Sequence, residues 1–71
     1  MELSFNLENI DLREFWGINN KNFRFLETIF PHLELTERSE RLLVSGEEKD
    51  LQDFETFFKN LTIAYENQGY I

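Results

Sequence analysis

The segment Asp11-Leu12-Arg13-Glu14-Phe15-Trp16-Gly17-Ile18-Asn19-Asn20-Lys21-Asn22-Phe23 decides the fold, because it starts two helices and places a glycine stop between them. Asp11 stands three residues before Glu14 and just ahead of Phe15 and Trp16, so Asp11 can cap a short helix and Glu14 can answer it. Gly17 ends that helix after barely two turns, since glycine enters the left-handed backbone of a helix stop without a steric penalty. Beyond Ile18-Asn19-Asn20, the apolar residues Phe23, Leu26, Ile29 and Phe30 recur at steps of three and four, which is one stripe of a second helix. Pro31 stops it.

Working outward, Leu3, Phe5 and Leu7 alternate with Glu2, Ser4 and Asn6, the period of a strand with one buried face. Leu33 and Leu35 alternate with Glu34 and Thr36; the run Glu37-Arg38-Ser39-Glu40 breaks the pattern, and Arg41-Leu42-Leu43-Val44 resumes it, which predicts a β-hairpin. Leu42 and Val44 face the core in that reading. Leu43 then lies on the opposite face, where alternation calls for a polar residue. Ser45-Gly46-Glu47-Glu48 fits a capping box, and Glu47, Glu48, Asp50 and Asp53 supply the negative charge that a helix N-terminus favours. From there Leu51, Phe54, Phe58, Leu61 and Tyr65 mark a third helix, widened by Phe57 and Ala64 and ended by Gly69, over roughly 20 residues or about 30 Å. The order strand, helix, helix, strand, strand, helix, with three helical stripes in need of one apolar sheet face, predicts an α+β two-layer sandwich. Its sheet is three-stranded and antiparallel, its three helices lie on one face, and Leu3, Phe5, Phe23, Leu26, Leu42, Val44, Phe54 and Phe58 are expected to be buried.

Composition sets the limits. A chain of 71 residues is one small domain, and 41% hydrophobic with 15% aromatic residues is too apolar for disorder. With no cysteine, stability rests on area burial, to which eight phenylalanines contribute. Fourteen acidic against seven basic residues give a net charge of -7, so any attraction to a phosphate backbone has to be local. The N-terminus has no basic stretch followed by an apolar run, and no window is long and apolar enough to span a bilayer, which predicts a cytoplasmic protein without membrane contact. The sequon Asn60-Leu61-Thr62 lies inside a helical stretch and is read as coincidence.

The element order, with a glycine turn between the first two helices, resembles the KH fold, whose glycine-x-x-glycine loop corresponds here to Gly17-Ile18-Asn19-Asn20 with asparagine in place of the second glycine. The phrase Gly17-Ile18-Asn19-Asn20-Lys21-Asn22-Phe23, the helix end Leu26-Glu27-Thr28-Ile29-Phe30-Pro31 and the run Leu42-Leu43-Val44-Ser45-Gly46-Glu47-Glu48 are similar to the N-terminal domain of PhoH-like ATPases, the phosphate-starvation-inducible family. The resemblance implies that residues 1–71 form a KH-like accessory domain, the N-terminal fragment of a longer bacterial protein. A P-loop ATPase domain, with its ATP and magnesium, would follow Ile71. The implied partners are single-stranded RNA and the chain's own ATPase domain, with oligomers forming through the parent.

The segment itself lacks catalytic patterns. None of Gly17, Gly46 and Gly69 is followed by lysine, so the phosphate cradle of a P-loop is missing and no nucleotide or other cofactor site is expected. His32 is the only histidine, Ser4, Ser39 and Ser45 are the only serines, and no nucleophile elbow surrounds them, so the segment is read as non-enzymatic. The acidic cluster from Glu47 to Asp53 lacks the spacing of a calcium loop, and helix capping accounts for it, leaving no metal site. The candidate RNA contacts are Gly17, Ile18, Asn19, Asn20, Lys21 and Arg24, because an open backbone beside cations can clamp a single strand. Arg13, one element earlier, could join Lys21 and Arg24. The competing reading has Asn19 and Asn20 capping the second helix and the cations simply solvated. Trp16 is read as a core anchor before a base-stacking platform. Phe25, off the main stripe, and Leu43 are candidates for a surface that docks a protein, the alternative to RNA binding.

Overall fold

The computed structural model describes residues 1–68 and builds them as β1 (Glu2–Asn6), α1 (Leu12–Trp16), a 3-10 turn (Ile18–Asn20), α2 (Lys21–Ile29), β2 (Glu34–Arg38), β3 (Arg41–Ser45) and α3 (Glu48–Gln68). The strands form one antiparallel sheet in the order β1-β3-β2, the α+β arrangement that the sequence pattern predicts. The helix stop expected at Gly69 lies outside the described residues. Among those residues no helix is long and apolar enough to cross a membrane.

Register explains why one face of the sheet carries the core. Leu3 pairs with Val44 and Phe5 with Leu42 across β1 and β3, while Leu35 pairs with Val44 across β2 and β3, so these side chains share one face. Leu42, Val44, Leu26, Phe54 and Phe58 are buried as expected, whereas Leu3, Phe5 and Phe23 are only half-buried and pack at the margin of the core. Leu7 is buried too, but just past β1, where its N–H donates to the Glu40 carbonyl at 2.8 Å. On the opposite face Leu43 stands between Ser4 and Thr36, half-buried in a polar row.

Several local expectations change. The hairpin turn is Ser39-Glu40 alone, with Glu37 and Arg38 inside β2; both turn residues take positive φ, 51° and 60°, as a two-residue primed turn requires. Ser45 is not a helix cap: it is the last residue of β3, opposite Glu2 and Glu34, and α3 begins only at Glu48. Gly46 makes the corner between them, with its N–H donating to the Met1 carbonyl at 3.1 Å. A Cβ there would lie 2.5 Å from Leu33 Cδ2 and 3.4 Å from the His32 carbonyl oxygen, so close approach rather than capping explains this glycine. Ile29 and Phe57 leave the stripes assigned to them and are 38% and 36% exposed, and Ala64 is exposed as well. Phe58 takes the inward position next to Phe57, because adjacent helical residues point about 100° apart and only one of the pair can face the core, while Phe30, just past the end of α2, packs against the core beside Ile29.

Aromatic rings join the layers. Phe54 stacks on Phe58 at 5.4 Å and meets Phe5 and Phe30 at 5.7 and 5.1 Å. Phe58 in turn meets Phe15 edge-on at 5.9 Å. Side-chain hydrogen bonds tie α1 to β2 and α3: Trp16 Nε1 donates to the Glu37 carboxylate on β2, and Tyr65 Oη of α3 donates to Glu14 Oε1 at 2.8 Å.

Candidate interaction surface

The surface around Gly17 is built by two helix ends. Asp11 caps α1 as expected, its carboxylate accepting from the Arg13 and Glu14 N–H groups at 3.1 and 3.3 Å. Glu14 does not answer it, because its carboxylate is held by Tyr65 instead. At the other end the Gly17 N–H donates to the Arg13 carbonyl at 3.1 Å with φ of 80°, the left-handed backbone that favours glycine. A Cβ on Gly17 would come no closer than 3.5 Å to Asn22 Nδ2, so backbone conformation and not space fixes this residue.

Two consecutive left-handed asparagines follow, Asn19 at φ 57° and Asn20 at φ 56°, in the conformation that asparagine tolerates better than most residues. Asn20 occupies the N-cap position of α2 yet makes no side-chain capping bond, which removes the reading in which Asn20 caps that helix. The asparagine that works as a cap is Asn22, whose Nδ2 donates back to the Phe15 carbonyl at 2.9 Å and closes the end of α1. Asn19 and Asn20 therefore present their side chains to solvent, beside an Ile18 that is 84% exposed. Lys21 and Arg24 are exposed on the first turn of α2.

Between α2 and α3 lies a groove of about 460 Å³ whose floor is Phe25, Leu26, Phe57 and Leu61, with Lys21 and Arg24 at its edge. Phe25 is 55% exposed there. Among the described residues no carboxylate lines it. The hollow beside β1 carries Glu55 and Glu66 against Lys59, and the one beneath Pro31 carries Asp50 and Asp53, so of these three hollows the α2–α3 groove has the cationic lining among the described residues. Arg13 does not line this groove, although its carbonyl receives the Gly17 N–H at the loop itself.

Trp16 is 3% exposed, packed edge-on against Phe15 and Phe23 at 4.8 and 5.1 Å, and is a core anchor. Its bond to Glu37 fixes a carboxylate beside the residue that precedes the loop, a charge that opposes an incoming phosphate. Leu43 stays apart from this surface, on the helix-free face of the sheet. The sequence did not reveal the groove, since its walls come from residues about thirty positions apart. The available signal was the adjacency of Phe57 and Phe58, which cannot both face inward. Among the described residues no three His, Asp or Glu side chains gather as metal ligands do. Comparison of the chain with known protein families, curated proteins and solved structures finds no match.

Proposed function

We propose that this chain is a non-catalytic, KH-like accessory domain of the PhoH-like ATPase kind that holds single-stranded RNA weakly at the surface formed by Gly17–Asn20 and the start of α2. The observation that carries this reading is the placement of Lys21 and Arg24 beside the exposed Phe25, directly after an exposed loop. Cations that track a backbone, combined with an aromatic face on which a base can stack, are what sequence-tolerant single-strand binding requires. The net charge of -7 and the Glu37 carboxylate near the loop both weaken it, so affinity is micromolar or poorer and falls steeply with salt.

The second reading, a domain that docks a protein, is favoured by the apolar floor of the same groove. A titration separates the two. Because Trp16 is buried, the signal is the anisotropy of a labelled oligonucleotide and not tryptophan fluorescence. Lys21→Glu combined with Arg24→Glu is expected to lower RNA affinity at least tenfold at low salt, while Asn20→Gly strengthens it by restoring close backbone approach. Unchanged affinity in the double charge reversal would remove RNA from this surface. Absence of any binding at low salt would leave protein docking as the function of the groove.

A further inference from the structure

β1 is an edge strand of the sheet, paired on one side with β3. Gly46 N–H donates to the Met1 carbonyl and Leu7 N–H to the Glu40 carbonyl, so the odd-numbered residues of this strand turn their main-chain groups toward β3. Bonded pairs alternate in an antiparallel ladder, which leaves the N–H and C=O groups of Glu2, Ser4 and Asn6 directed away from the sheet. Among the described residues no other main chain pairs with them.

The two edges differ in protection. β2 carries Glu34, Glu37 and Arg38 among its five residues, the charged type of edge that discourages strand addition. β1 carries only Glu2, at its end, with half-buried Leu3 and Phe5 on its helix side. Next to Phe5 a hollow of about 460 Å³ opens between β1 and α3, lined in part by Ile10 and Phe58.

We propose that two copies of this chain associate by antiparallel pairing of their β1 edges about a two-fold axis centred on Ser4, giving a continuous six-stranded sheet with both helix layers on the same side. This proposal is independent of the RNA reading, which rests on Gly17–Asn20 and the start of α2 and not on β1. In that register Ser4 faces its own copy and Glu2 faces Asn6 of the second copy, so all the outward main-chain groups of β1 find partners and no like charges stand opposed. Leu3 of each copy faces Phe5 of the other on the helix side, where the apolar sheet face continues across the junction. Registers centred elsewhere on β1 leave part of the edge unpaired. An edge contact made by one five-residue strand, between molecules of charge -7, is expected to be weak, with a Kd of about 0.1 mM.

Sedimentation equilibrium of the full chain tests it. A monomer–dimer equilibrium is expected that tightens as salt screens the repulsion between the two acidic copies, the opposite of the salt response of RNA binding. Ser4→Pro deletes an outward N–H without touching the β1–β3 ladder, and Ser4→Lys sets two like charges face to face; each should weaken dimerisation at least tenfold while circular dichroism stays that of the parent. If Ser4→Pro fails to fold, Ser4→Lys decides. Because the chain has no cysteine, Ser4→Cys supplies a register test: its Cα lies about 5.5 Å from its mate, within disulfide reach, so mild oxidation should link the copies where Thr36→Cys does not. A single monomeric species at about 1 mM, or a dimer indifferent to both Ser4 substitutions, would overturn the proposal.

Discussion

Ser39 and Glu40 carry the least comfortable backbone among the described residues. Both lie in the left-handed region, where a two-residue hairpin turn needs them, yet neither is glycine or asparagine. Each such residue stores strain of about 1 kcal/mol or more, held in place because Arg38 and Arg41 are already paired across the turn and the Glu40 carbonyl is fixed by Leu7. Replacing the pair by Asn-Gly keeps the turn and removes the strain, against a cost of up to about 1 kcal/mol for the extra freedom of glycine in the unfolded chain. Ser39→Asn with Glu40→Gly is therefore expected to raise stability by about 1 kcal/mol in urea denaturation. A loss of stability would mean that the Glu40 side chain contributes more than its backbone costs. The turn shows what residue-scale reading achieves and misses: the hairpin was evident from the alternation of Leu33, Leu35, Leu42 and Val44, but with no glycine or asparagine to mark it, the two turn residues could not be told from Glu37 and Arg38.

At the scale of elements, amphipathic period placed the strands, α2 and α3, because burial of one face dictates it, while the caps Asp11 and Gly17 placed the short α1. The long-range bonds were illegible. Glu14 looks like the answering half of a capping box three residues from Asp11, yet it receives the Tyr65 hydroxyl from 51 positions away, a partner that only the packing of α3 across α1 supplies. The same limit hid the α2–α3 groove, whose two walls are separate stripes in the sequence. The Tyr65–Glu14 bond has a pH consequence. Its hydrogen bond to the Glu14 carboxylate, then burial, then the charges of Glu14 and Asp11 push the Tyr65 hydroxyl above its ordinary value of 10.0. Below that value folded and unfolded chains both keep the proton, so the bond contributes in full; above it the unfolded chain ionises first, and the contribution is lost as pH climbs toward the folded-state value. Tyr65→Phe should thus be less stable than the parent at about pH 8, with the gap narrowing as pH rises above 10.0 in urea titrations. A gap that stays constant across that range would show that the hydroxyl contributes by packing alone.

The whole molecule is held by rings. Without cysteines, a chain of this length has a stability of about 4 to 10 kcal/mol, so one central aromatic side chain can represent half of it. The ring contacts run unbroken from Phe57 through Phe30, Phe54 and Phe58 to Phe15 and Trp16, and so link α3, the end of α2, and α1, with Phe5 of β1 touching both Phe54 and Phe58. Position along this chain of contacts decides consequence. Phe58 is fully buried at a point where β1, α1 and α3 meet, so Phe58→Ala removes transfer energy and leaves a cavity that the surrounding rings cannot fill, at about 3 to 5 kcal/mol. Phe57, its neighbour in sequence, touches only Phe30 among the rings of the described residues and is more than a third exposed over the α2–α3 groove. Phe57→Ala should cost about 1 kcal/mol, within the range of a single aromatic contact with little area burial. Thermal unfolding of the two alanine variants side by side is the measurement, and a marginally folded Phe58→Ala beside a near-native Phe57→Ala is the expected pair. Equal losses would mean that Phe57 belongs to the core and that the groove it lines is filled, which would remove the surface on which both functional readings rest.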